Sequence, residues 1–144
     1  MTVVKSTLPE PARKVVGEAL QSTLVDLLGL SLIGKQAHWN IVGPRFRSIH
    51  LQLDEVVDTA RSYSDTVAER SAALGLPVDG RPETVAAAYT LPGPQEGWVQ
   101  DTEAVQGMLD ALEAAIVRLP DRLAVTHGPD PATVDLLNTL AAAR

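Results

Sequence analysis

The sequence predicts a single all-α domain, a four-helix bundle with a short extra helix in one long connection. Three observations carry that expectation. Apolar residues recur at helical spacing over three long stretches. Glycine and proline concentrate between those stretches rather than inside them. The chain is 45% hydrophobic but only 3% aromatic, so the core must be built from Leu, Val, Ile and Ala, which suit packed helices. A length of 144 residues is one domain's worth, with room for one real core.

The elements follow in order. Residues 1–11 read as a polar tail and 12–144 as the bundle domain. Pro9 and Pro11 sit where a helix can begin, because a first-turn proline lacks only a donor that is unpaired anyway. Val16, Leu20, Leu24, Leu27 and Leu28 then keep helical spacing, which predicts a helix over about 12–39. Asn40 to Pro44 is a tight connection broken by Gly43 and Pro44. Ile49, Leu53, Val56, Val57, Ala60, Val67 and Leu74 predict a second helix over about 45–74. Residues 75–97 hold four prolines and four glycines, and a connection so long can cross the bundle from end to end. Pro82 to Tyr89 within it has the pattern of a short helix.

A third long helix is predicted over about 98–127. Its Val105, Leu109, Leu112, Ile116, Leu119 and Leu123 form a seven-residue pattern. Pro120 should kink it, since it cannot bond the carbonyl of Ile116. After the Gly128–Pro131 turn a fourth helix begins. Residues 131–144 make only about 21 Å of helix, against about 42 Å for the first. The alanine run at the end has no capping residue, so the last helix is expected to be cut short and the natural chain to continue.

Composition bounds the chemistry. A net charge of −6 argues against a surface made for nucleic acid. The absence of cysteine excludes disulfides and thiolate metal sites, so any metal must be held by oxygen and imidazole nitrogen. No apolar run or leader pattern suited to a membrane span or secretion is read, and the expected location is the cytoplasm, with the nucleoid as a further possibility.

One constellation stands out. On a wheel of about 100° per residue, His50, Asp54, Asp58, Asp65 and Glu69 fall on one stripe of the second helix, beside its apolar stripe. Carboxylates four apart repel, and Arg61 and Arg70 could relieve some of that. A solvated acidic face is the plain alternative. Against it stand His50 at the head of the stripe and His38 on the preceding helix, because imidazole with carboxylates is a ligand set for iron, zinc or manganese.

These residues resemble a known family. Lys35 to Asn40 reads KQAHWN, followed by VGPRF, by HLQLDE from His50 and by DTVAER from Asp65. With DPATVDLL from Asp130, the ordered set is similar to the signature segments of the Dps family of miniferritins, over residues 12 to 144. The resemblance implies a ferritin-like fold and a ferroxidase that oxidises ferrous iron, preferably with hydrogen peroxide. It also implies storage of the ferric product in a dodecameric shell, with iron and no organic cofactor. The implied ligands are His38, His50, Asp65 and Glu69, with Asp54 nearby as a ligand or water-holding carboxylate and Trp39 next to the centre. Asp121, Asp130 and Asp135 are candidates for an acidic three-fold pore that admits iron. For Asp130 and Asp135 the plainer reading is an N-cap and a first-turn acid.

Distances along the helix add a condition. Asp65 and Glu69 lie 15 and 19 residues beyond His50, or about 22 and 28 Å of helix. Metal–ligand bonds are only about 2.0–2.2 Å, so one chain cannot join all four residues at one metal. The expected site is therefore shared across a two-fold dimer of antiparallel chains. Some Dps proteins also coat DNA with lysine-rich tails. The tail here offers Lys5, Arg13 and Lys14 against Glu10, so weak duplex binding is expected, and a nucleoid-associated shell with little iron chemistry is the competing function.

Overall fold

The structure, a computed structural model, describes residues 5–142. Helix α1 spans Glu10–Asn40, with Pro9 as its N-cap and Pro11 in the first turn. Its Val16, Leu20, Leu24, Leu30, Ile33 and Ala37 are all buried. One 18-residue window of α1 reaches a mean hydropathy of 1.3, so, against the expectation from sequence, the chain does contain a stretch long and apolar enough to cross a membrane. Two thirds of that window (67%) is buried inside the bundle, as a core helix requires.

Helix α2, Phe46–Ala73, returns beside α1 and buries Ile49, Leu53, Val57, Ala60, Ser64, Val67 and Ser71 at three- and four-residue steps. The two helices approach closely at Gly34, where a Cβ would come within 2.6 Å of Val57 Cγ2. The connection between them is more than a turn. Strand β1, Ile41–Val42, pairs in parallel with strand β2, Val99–Gln100.

That pairing fixes the path of the long connection. Early in it, the Gln21 side-chain amide holds the Asp79 backbone, donating to its carbonyl at 2.8 Å and accepting from its N–H at 3.0 Å. Helix α3, Pro82–Ala88, follows, and the segment ends at β2 on the opposite end of α1. The connection thus crosses the bundle, as its length predicts. Helix α4, Asp101–Ile116, then starts at the same end as α2.

The predicted single helix over 98–127 is corrected in two ways. Its first residues form β2, and it breaks at Val117 and Arg118 before helix α5, Leu119–Thr126. Pro120 explains the break: it lacks the N–H for Ile116, so the chain restarts with the proline in the first turn of α5. Asp26 of α1 anchors the restarted helix through Arg118 at 2.8 Å and Arg122 at 2.7 Å. Helix α6, Pro131–Ala142, turns back and buries Thr133, Leu137 and Leu140. Among the described residues two core clusters result, one around Ile41, Leu53 and Met108, the other around Leu20, Val67 and Leu137.

One ion pair locks the β1 end. Buried Asp101 accepts bonds from the Arg45 backbone N–H at 2.9 Å and from its guanidinium at 3.3 Å. Gly43, at φ +130°, gives the space, since a Cβ there would meet the Asp101 carboxyl carbon at 2.9 Å. Arg45 holds the Asp101 carboxyl below its ordinary value of 3.8. A carboxyl whose folded value is depressed contributes stability above the unfolded value and loses it as pH falls through the folded one. Asp101→Asn should therefore lower the urea midpoint at pH 5, and the gap to the parent should narrow as pH approaches 3. A gap of equal size at both pH values would count against this lock.

Candidate metal centre

The α1–α2 connection brings the two histidines face to face. His38 lies in the last turns of α1 and His50 in the second turn of α2. Their rings stack with centroids 3.5 Å apart and planes inclined by 19°. Each ring is pinned by the other residue's backbone: His38 Nδ1 lies 2.8 Å from the His50 carbonyl oxygen, and His50 Nδ1 lies 2.9 Å from that of His38. A carbonyl oxygen only accepts, so each neutral ring must carry its hydrogen on Nδ1. Both Nε2 atoms are then left with lone pairs, as metal ligation requires. His38 is buried, His50 is half-buried, and Phe46 flanks His50 at 4.8 Å between centroids.

Asp54 stands one turn beyond His50, with Oδ1 at 3.5 Å from His38 Nδ1. It is paired with Lys35, whose ammonium holds the carboxyl below the usual carboxylate range. Sequence reasoning missed Lys35. The signal was present in the spacing: Lys35 is three residues before His38, and Asp54 four after His50, so both project one turn from the rings. Trp39, beside the site, is 66% exposed.

The other candidate ligands lie elsewhere. Asp58, Asp65 and Glu69 are exposed along α2, and none has a basic side chain within 4 Å among the described residues. Arg70, which the sequence offered as their relief, is turned instead to Asp130 at 2.6 Å. Among the described residues no three His, Asp or Glu side chains converge on a metal position. The stacked histidines lie at the start of α2, and Asp65 and Glu69 lie 15 and 19 residues beyond His50 along the same helix.

The three pore candidates also differ. Asp130 is buried, accepts from Arg70 and Thr133, and caps the start of α6. Burial opposes its charge, but Arg70 and Thr133 outweigh that and depress its carboxyl. Asp121 and Asp135 are exposed.

Comparison with known proteins agrees with this architecture. Residues 17–143 match the ferritin-like domain family. The "DNA protection during starvation protein 2" of Deinococcus radiodurans is 35% identical over 136 residues, covering 92% of this chain. The chain spans 56% of that relative's length, and 64% of the Agrobacterium fabrum DNA protection during starvation protein, to which it is 33% identical. Among solved structures, Dps from Microbacterium arborescens in the high iron form superposes with a TM-score of 0.89 at 32% identity, covering 96% of this chain and 90% of that one.

Proposed function

Because the chain belongs to the Dps family of ferritin-like proteins, we propose that it is a miniferritin that binds ferrous iron, oxidises it with hydrogen peroxide and stores the ferric product in a hollow shell of identical chains. The observation that carries this reading is the stacked His38–His50 pair, each Nδ1 held by a backbone carbonyl so that each Nε2 keeps its lone pair, with no three-ligand cluster completed among the described residues. A solvated acidic face needs no such pair of tethered imidazoles.

The residues present fit iron. Two imidazole nitrogens and the carboxylates of Asp65 and Glu69 form a mixed nitrogen and oxygen set suited to a borderline divalent metal. His38 and His50 of one copy supply the nitrogens, held rigid by their backbone bonds. Asp65 and Glu69 of a second, antiparallel copy supply the oxygens, so a two-fold dimer carries two sites. Asp54 stands ready beside the rings once Lys35 is displaced. Two ferrous ions supply the two electrons that split one peroxide O–O bond, and with two protons the oxygens leave as two waters. The carboxylates stabilise the added positive charge of the ferric product.

The full assembly in this proposal is a dodecamer in the cytoplasm. Asp121 and Asp135 are the acids free to attract cations at a three-fold pore, because Asp130 is committed to Arg70. The DNA-coating alternative has less support. Arg13 is paired with Glu10, which leaves Lys5 and Lys14 as the exposed cations near the start. Soaking crystals with ferrous iron and recording anomalous scattering at the iron edge tests the proposal. Peaks within bonding distance of His38 and His50 are expected. A fully loaded crystal with iron only along the Asp58–Glu69 face of α2 would contradict it.

A further inference from the structure

Arg118 and Arg122 stand four residues apart around Pro120, so both project to one side of the restarted helix α5. Like charges at that spacing repel. Asp26 bonds both, but one carboxylate offsets only one of two guanidinium charges. Among the described residues no second carboxylate pairs with either arginine, so one positive charge is left over.

The two arginines and Asp26 line a cleft of about 260 Å³ between α1, α3 and α5. Ser22 and Val25 of α1, Ala88 of α3 and the exposed Thr90 line it as well. Some of its polar groups are committed. Thr84 donates to Asp79, and the Gln21 amide holds the Asp79 backbone. Each guanidinium has five N–H groups. Arg118 uses two, on Asp26 at 2.8 Å and on the Thr90 carbonyl at 3.4 Å. Arg122 uses two, on Asp26 at 2.7 Å and on the Thr23 hydroxyl at 3.2 Å. Among the described residues the Nε–H of each arginine has no protein partner, and neither have the hydroxyls of Ser22 and Thr90. No sealed side-chain nitrogen or oxygen lacks a partner there, so these donors are open to solvent.

We propose that this cleft binds a phosphate group, with Arg118 and Arg122 as its anchors and the Ser22 and Thr90 hydroxyls as further donors. The excess positive charge selects an anion. Guanidinium forks together with hydroxyls match an oxyanion that offers several acceptor oxygens better than they match a halide. Asp26 helps rather than competes, because it fixes both guanidinium groups before the anion arrives. Val25 and Ala88 keep part of the wall apolar, which strengthens each charge-assisted bond. The same excess charge repels ferrous iron, so the inference does not draw on the metal reading. Free phosphate and a phosphate monoester share this chemistry.

The test is isothermal titration calorimetry on the iron-free assembled protein at pH 7, in about 0.15 M chloride to screen loose surface binding. Inorganic phosphate and glycerol phosphate are the two titrants. One phosphate group per chain should bind, with a Kd below about 1 mM. Inorganic phosphate binding at least as tightly identifies the free ion as the source, and tighter glycerol phosphate identifies a monoester; either supports the site. Arg118→Gln leaves the Arg122–Asp26 pair in place and should weaken binding at least about tenfold. Ser22→Ala, exposed on α1, should weaken it about threefold and leave the urea midpoint unchanged. Arg61→Gln, the same change of charge on the exposed face of α2, should have no effect. No saturation by about 10 mM phosphate would overturn the proposal, as would equal losses in Arg61→Gln and Arg118→Gln. If Arg118→Gln does not fold, Ser22→Ala and Thr90→Val decide, and parental affinity in both would overturn it. Displacement of the bound phosphate by duplex DNA would assign the arginines to nucleic acid and overturn it too.

Discussion

Asp26→Ala should destabilise the chain by about 3 kcal/mol, the cost of leaving buried charge without its partner. The carboxylate lies inside α1 with its side chain 8% exposed, and it holds two arginines at once. Arg122 also accepts no escape into water: its side chain is 13% exposed, and its other bond goes to the Thr23 hydroxyl. Arg118 is the more exposed at 31% and also donates to the Thr90 carbonyl. Removing Asp26 would leave two guanidinium groups facing one another across an empty volume. The effect reaches further than the pair, because α5 begins anew after Pro120 and Asp26 is its polar anchor to α1. Against a typical total stability of about 5–15 kcal/mol, the loss should be plain in the urea midpoint. A change below about 1 kcal/mol would mean that α5 is held by its apolar contacts alone.

The second large effect concerns chemistry rather than stability. His38→Ala with His50→Ala should reduce peroxide-driven ferrous oxidation by about 100-fold, since loss of a supporting partner alone costs about 10–100-fold at metal sites. The fold should survive, because the rings stack on each other and bond only backbone carbonyls, which can take water at this end of the bundle. Asp54→Asn should cost less, as Asp54 is already engaged by Lys35. A double histidine variant that kept its rate would move the oxidation site away from the α1–α2 connection.

Much of this architecture was legible in the sequence, and the reasons are local. Pro9 and Pro11 marked the start of α1, Gly43 and Pro44 its connection to α2, and Pro82 the start of α3. The His38–His50 meeting followed from two long helices joined by a short link. The ferritin-like fold was readable from the ordered segments around those histidines. What escaped was non-local. The β1–β2 pairing joins Ile41 to Val99, and Arg70 reaches 60 residues along the chain to Asp130. No spacing rule says which acid a given arginine will find. Pro120 was read as a kink, yet whether a proline bends a helix or ends it depends on what holds the segment beyond, and here Asp26 does so from α1. Lys35 was overlooked although the spacing held its signal: it stands one turn before His38 as Asp54 stands one turn beyond His50, and the ring pairing had to be carried that one turn further across two helices.

The central claim is that the iron site is complete only when two copies meet. The most direct measurement mixes two variants, His38→Ala with His50→Ala and Asp65→Ala with Glu69→Ala, unfolded together and co-assembled. Alone, each should lack every intact site. In a mixed two-fold dimer, one site takes its histidines from one parent and its carboxylates from the other, while the second site is doubly broken. Random pairing makes about half of the dimers mixed, so about a quarter of the wild-type sites should return. Peroxide-dependent ferrous oxidation at about that fraction of the wild-type rate is the predicted result. Mixed assemblies, verified by mass spectrometry, that stay as inactive as either parent would contradict the account.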